Sequence, residues 1–190
     1  MEFPRLLKLA GAFALLGLVS GCQFWNAGGS TFQAPKQAFS MQVPTEWSYS
    51  TALGSPLVAT RDGLALQSFL VRSDKLNKAL QQSERTLTPG LSAYELAEII
   101  VDDMKVDPAF NALAVLSNEP ALIGGQPGFK VTLTYRNARN LHLTETRYGV
   151  IHENLLWTLS YVAPRRHYHA RDLAAFEAAV ATFQFGPEKP

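Results

Sequence analysis

Apolar and polar positions follow three periods along this chain. Phe39-Ser40-Met41-Gln42-Val43 alternates, which predicts a half-buried strand stopped by Pro44. Trp47 and Tyr49 continue on one face after a turn, and Gly63 opens a largely apolar strand over 64–72. Residues 75–86 are polar, a surface loop or a weak helix closed by Thr88-Pro89-Gly90. The period then becomes helical over 92–105, with Leu96, Ile99, Ile100 and Met104 on one stripe and Glu98, Asp102 and Lys105 off it. Ser92 and Glu95 form a capping box at its start, and Asp107-Pro108 stops it. A strand is expected over 113–117, and Ala121-Leu122-Ile123 leads into the turn Gly124-Gly125.

The most regular stretch is 129–162. Phe129, Val131, Leu133 and Tyr135 alternate with Lys130, Thr132, Thr134 and Arg136, and Leu155, Trp157, Leu159 and Tyr161 alternate with Leu156, Thr158, Ser160 and Val162. With a less clean strand over 141–152 between them and short polar turns, this predicts an antiparallel meander. Ala163-Pro164 ends it, and 165–169 reads as a basic, aromatic loop. A closing helix over about 171–182 carries Leu173, Phe176, Val180 and Phe183 on its stripe, with Asp172 and Glu177 off it.

The first 21 residues have a different pattern. Arg5 and Lys8 precede an apolar run from Leu9 to Val19, which ends in Ser20-Gly21-Cys22. A spanning helix needs about 20 apolar residues, so this run is too short and reads as a secretory h-region. Leu18-Val19-Ser20-Gly21-Cys22 resembles a bacterial lipobox, with cleavage between Gly21 and Cys22. The resemblance implies that Cys22 becomes the lipidated N-terminus, carrying a diacylglycerol and a further acyl chain such as palmitate. Cys22 is the only cysteine of the chain. Each buried CH₂ contributes about 0.8 kcal/mol, so two or three acyl chains make a firm bilayer anchor. Gln23, not Asp, follows the cysteine, which by the Gram-negative sorting rule implies the outer membrane, facing the periplasm. The expected organisation is a signal peptide over 1–21, a lipidated cysteine with a flexible Gly/Ser tether over 22–37, and one globular domain over 38–186. Trp25, close to the lipid, is placed to rest at the headgroup level.

Removal of residues 1–21 leaves 169 residues with 15 Lys plus Arg against 15 Asp plus Glu. That neutrality lacks the basic surplus of a nucleic-acid binder or a polybasic membrane-surface domain. With Cys22 acylated no thiol remains for a disulfide, so the fold rests on its core, which three Trp and eleven Phe can supply.

The order of elements resembles a known group. Phe39-Ser40-Met41-Gln42-Val43-Pro44 followed by Trp47 is similar to the opening of PsbP/Mog-type domains. Gly125-Gln126-Pro127-Gly128, three strands, Tyr161-Val162-Ala163-Pro164 and a helix closing on Phe183-Gln184-Phe185 resemble their end. The group includes DcrB-like bacterial lipoproteins. The resemblance implies an α+β fold, an α/β/α sandwich with an antiparallel sheet. Because members range from photosystem subunits to a nuclear-transport factor, it implies protein binding and transfers no catalytic residue.

Candidate chemistry is sparse. His167 and His169 are alternate residues, which in an extended segment point the same way, and Asp172 with His142 or His152 would have to complete a metal site. The ligand spacing of known zinc motifs is missing, and a solvated turn accounts for the pair equally well. Arg165, Arg166, His167, His169 and Arg171 form a basic cluster suited to an acidic partner or a lipid phosphate; an exposed run of charge is the plainer reading. Ser55, Ser117 and Ser160 lack the neighbours of an activated nucleophile, and no phosphate-binding glycine loop occurs. Asp102-Asp103 are adjacent on a helix and point apart, so they cannot share a substrate. Thr132, Thr134, Thr158 and Ser160 form polar strand faces that could line a groove.

No catalytic site, metal or cofactor is therefore expected. The leading expectation is a membrane-anchored, non-catalytic envelope module that docks a protein partner or helps envelope assembly; the alternative is a periplasmic small-ligand or metal-binding module. An exposed apolar patch would favour the first. A closed polar pocket holding His167, His169 and an acid would favour the second.

Overall fold

In the computed structural model, which describes residues 24–83 and 85–187, the chain begins with five short strands. These are β1 (Asn26–Ala27), β2 (Thr31–Gln33), β3 (Phe39–Gln42), β4 (Ser48–Ser50) and β5 (Leu57–Thr60). The longer β6 (Ser68–Lys75) and helix α1 (Ala93–Val106) come next. The meander follows: β7 (Asn111–Ile123), β8 (Gln126–Arg136), β9 (His142–His152) and β10 (Leu155–Pro164). Helix α2 (Tyr168–Ala181) and β11 (Gln184–Phe185) complete the fold. All pairings are antiparallel. One eight-stranded sheet runs β1-β4-β5-β6-β10-β9-β8-β7, and a three-stranded sheet runs β11-β3-β2. The result is the expected α+β sandwich, with the helices on opposite faces of an antiparallel sheet.

The two faces have separate cores. On one, α2 and the small sheet cover Trp157, Leu159 and Tyr161 of β10, Tyr148 and Val150 of β9, and Phe69 and Val71 of β6. This core is aromatic: Phe69 meets Phe176 edge-on at 5.0 Å, and Phe39 meets Trp157 at 5.7 Å. Burying each such ring stabilises the fold by about 1.5–3 kcal/mol. On the other face α1 places Leu96, Ala97, Ile100, Val101 and Met104 against Phe129, Val131 and Leu133 of β8 and Leu156 of β10. The Ser92–Glu95 capping box is formed as expected, with both reciprocal hydrogen bonds.

Register separates what the alternation alone had grouped together. Val131 lies opposite Arg147, and Arg147 opposite Ser160, so the apolar side of β8 and the hydroxyl side of β10 share the α1 face. Thr132 and Thr134 turn to the α2 face. The four hydroxyl residues therefore do not line one groove.

Residues 24–37 are not a free tether. β1 pairs with β4, β2 pairs with β3, and Phe32 and Ala34 are buried in the aromatic core. Gly28 is needed for close approach: a Cβ there would lie 2.2 Å from the Pro44 carbonyl oxygen. A Gly-Gly-Ser run that reads as a linker is thus a strand-connecting turn, with Gly29 at φ +91°. The signal peptide, Gly21 and Cys22 lie outside the described residues.

Three other boundaries differ from expectation. Leu64 and Leu66 are exposed in the turn before β6, which begins only at Ser68, and β5 precedes that turn. β7 is longer than 113–117 because it continues through Ile123. α2 starts three residues early and includes His169, so 168–170 is helix rather than loop.

Candidate functional site

The structure separates the residues of the basic segment after β10. Arg165, Arg166 and His167 are exposed, whereas His169 is buried in the first turn of α2. His167 has φ +124°, a conformation that turns the chain into the helix and separates the two imidazoles. His169 stacks on Tyr161 at 5.4 Å, and its Nε2 lies 3.1 Å from the Thr146 hydroxyl. Burial lowers its pKa below the ordinary histidine value, only partly opposed by Glu177. The pair does not alternate along an extended segment, because the helix begins at Tyr168 between the two histidines.

The acid expected to complement them is committed elsewhere. Asp172 is buried and accepts from Arg61 Nη1 at 2.8 Å and Arg171 Nε at 2.9 Å. Burial pushes its carboxyl upward, but Arg171 and Arg61 outweigh that and hold it below the usual value. Arg171 also meets Asp62, Asp62 accepts from Gln67, and the Tyr161 hydroxyl lies 3.0 Å from Gln67 Oε1. This network fastens the β5–β6 turn to the start of α2. His152 stacks on Phe185 at 4.0 Å. Among the described residues no group of three or more His, Cys, Asp and Glu could hold a metal.

Two places have geometry suited to a partner or ligand. The first is the β7 edge beside α1. Val115, Leu116 and Leu122 are 44, 59 and 72% exposed, and Glu98, Val101, Asp102, Lys105, Asn118 and Val131 border an adjoining groove of about 480 Å³. Asn118 Oδ1 is buried with no hydrogen-bond partner among the described residues. Register shifts between Asn111/Ala114 and Val115/Ser117, together with Pro120, interrupt the strand. Such features guard an edge against open-ended sheet extension.

The second is a polar cavity of about 190 Å³ under α1. Its floor is set by register: Arg72 lies opposite Thr158, and Ser160 opposite Arg147. Ile100, Met104 and Phe110 supply apolar walls. Arg147 Nε donates to the buried Glu145 at 2.7 Å, and the Tyr135 hydroxyl donates to the same carboxylate at 3.1 Å. Burial, then the adjacent Glu145 charge, raises the Tyr135 phenol well above its ordinary pKa. Asp103 accepts from the backbone amides of Gln81, Gln82 and Ser83 at 2.8, 3.0 and 2.8 Å, fixing the segment that completes the roof. Arg147 and Thr158 carry no motif; the strand register that unites them was the missing signal.

The two-faced sheet with α1 and α2 on opposite sides has the PsbP/Mog-like α+β fold. No family model and no curated protein matches the chain. Among solved structures it is similar to cyanobacterial PsbP from Synechocystis sp. PCC 6803, at 13% identity and TM-score 0.56, covering 84% of this chain and 94% of that one. It is also similar to LpqN of Mycobacterium tuberculosis, described as involved in cell envelope biogenesis, at 10% identity and TM-score 0.57 over 83% and 90% of the two chains. The Ran-binding protein Mog1p of Saccharomyces cerevisiae is 11% identical with TM-score 0.56, over 84% and 96%. At these identities the likeness is one of fold.

Proposed function

We propose that this protein is a non-catalytic interaction module of the cell envelope, held at the outer membrane by acylated Cys22, and that it docks a protein partner on the α1–β7 edge. The observation that carries the reading is exposed Val115 and Leu116 beside a groove with an unpartnered Asn118 acceptor, with exposed Leu122 further along the same strand. An exposed apolar edge is the feature expected of a docking module. The His167/His169 pocket expected of the alternative is absent among the described residues.

Topology supports the orientation. Asn26, the first residue of β1, is four residues from Cys22, a reach of at most about 14 Å at ~3.5 Å per residue. β1 and β7 are the two outer strands of the eight-stranded sheet. Seven inter-strand steps of about 4.8 Å separate them, roughly 34 Å. Anchorage beside β1 therefore presents β7 away from the bilayer. No helix among the described residues is long and apolar enough to cross a membrane, and a lipid anchor supplies the attachment such a helix would. LpqN, a structure of the same fold, is described as acting in cell envelope biogenesis.

The partner surface is apolar with a basic group at its rim, because Lys105 is paired with Asp102 and Glu98 is left as the unmatched charge of the groove. The bulges and Pro120 favour side-chain docking over strand addition. The test is photo-crosslinking in intact cells from positions 115, 116 and 122, with positions 165 and 166 as controls. The reading expects one envelope protein, identified by mass spectrometry, at the β7 positions only, and its purified form to lose binding to Leu116→Asp. Adducts equal at all positions, or only between copies of this chain, would overturn it.

A further inference from the structure

The cavity under α1 contains unengaged groups of both charges. Arg147 uses only Nε, on Glu145, so both terminal nitrogens lack a protein partner among the described residues. Thr158 and Ser160 are each 9% exposed, and neither hydroxyl has a hydrogen-bond partner among the described residues. Around the same cavity, Asp74 meets only Arg72, at 3.4 Å, and Asp107 commits one oxygen to the Ala109 amide at 2.8 Å. Asp103 adds no free charge, because three backbone amides occupy its two oxygens.

These polar groups face the cavity rather than being sealed in the core, so the space suits water or a matching molecule. An anion alone would satisfy Arg147 and the hydroxyls but would be repelled by Asp107, and by Asp74 as far as its 3.4 Å contact with Arg72 leaves that charge unmatched. A cation alone would leave the guanidinium fork unmatched. We infer that this cavity binds a small zwitterion, a free amino acid with an apolar side chain. Its carboxylate is held by Arg147, Thr158 and Ser160, its ammonium by Asp74 and Asp107, and its side chain lies against Ile100, Met104 and Phe110. Guanidinium–carboxylate pairing supplies two parallel hydrogen bonds and fixes the ligand's direction. At about 190 Å³ the space equals roughly six waters of ~30 Å³ and falls below the ~300 Å³ of drug-sized pockets, which suits a single amino acid rather than a peptide. The site lies between α1 and the sheet and shares no lining residue with the groove of the docking edge proposed above.

The test is thermal unfolding of the detergent-solubilised, full-length mature protein at constant ionic strength. L-alanine, L-valine and L-leucine are titrated singly, with isovalerate and isobutylamine as the single-charge counterparts of valine. At least one amino acid is expected to raise the midpoint saturably, and each counterpart to bind about tenfold weaker or less. The Thr158→Val/Ser160→Ala double variant should weaken that amino acid about tenfold. Arg147→Lys, which retains a charge beside Glu145 but loses the fork, should do the same and provides the answer if the double variant does not fold. The inference is overturned by isovalerate or isobutylamine binding as well as valine, by no saturable shift from any amino acid, or by both variants binding like the wild type.

Discussion

Asp103 is the side chain on which the roof of the α1 cavity most depends. Its carboxylate accepts from the amides of Gln81, Gln82 and Ser83, all at 3.0 Å or less, and closes a turn with no regular structure of its own. A hydrogen bond to a charged acceptor contributes about 1.5–3 kcal/mol net, and such values do not add within one cluster. Asp103→Ala leaves three amides without an acceptor, but the turn borders solvent and water can reach part of it. A loss of about 3 kcal/mol is expected, close to one strong bond plus part of the others. The pH dependence gives the sharper test. Burial raises the Asp103 carboxyl, and the three amides more than offset that, so its folded pKa lies below the ordinary 3.8. A depressed folded value means that the stabilisation is present above the unfolded pKa and is lost as pH falls through the folded one. Urea unfolding followed by tryptophan fluorescence should show the full wild-type advantage at pH 7 and a shrinking one below about pH 3.8. An advantage under about 0.5 kcal/mol at pH 7, or one unchanged in acid, would refute the argument that the ionised carboxylate organises this turn.

Further expectations follow from other sites. Gly28→Ala would bring a methyl group against the Pro44 carbonyl oxygen at 2.2 Å, so it should cost about 1–3 kcal/mol in urea unfolding; a true linker would show no change. His169 is buried and its folded pKa lies below the ordinary histidine value of 6.5, so wild-type stability should decline as pH falls below 6.5. His169→Gln should flatten that decline, and an unchanged slope would assign it to other groups. Phe176→Ala removes a fully buried ring in contact with Phe69, Tyr148 and Tyr161 and should cost about 3–5 kcal/mol by the same unfolding measurement.

The parts of this fold legible in sequence are those with local causes. The Ser92–Glu95 box and the stripe from Leu96 to Met104 specify α1 within a dozen residues. Strict alternation from Phe129 and from Leu155 specifies β8 and β10, and short polar turns make each an antiparallel neighbour of β9. Features set by distant contacts were not legible. Gly28-Gly29-Ser30 has linker composition, yet the close approach of Pro44 requires a glycine there. His167 and His169 alternate only if extended, and the helix that buries His169 begins at Tyr168, ahead of the expected start. The helical stripe leaves Asp172 on the polar side of α2; Arg61, remote in sequence, makes its burial possible. The cavity was hidden for the same reason, because Arg72, Arg147, Thr158 and Ser160 come from three strands whose register no local pattern encodes.

The most direct measurement is the intact mass of the protein extracted from the envelope, beside a Cys22→Ala variant. The account predicts a wild-type chain beginning at Cys22, heavier than residues 22–190 by a diacylglycerol and a further acyl chain, and a variant without that added mass. An unacylated wild-type chain, cleaved elsewhere or left whole, would contradict it. The β7 edge would then have no defined orientation to the bilayer.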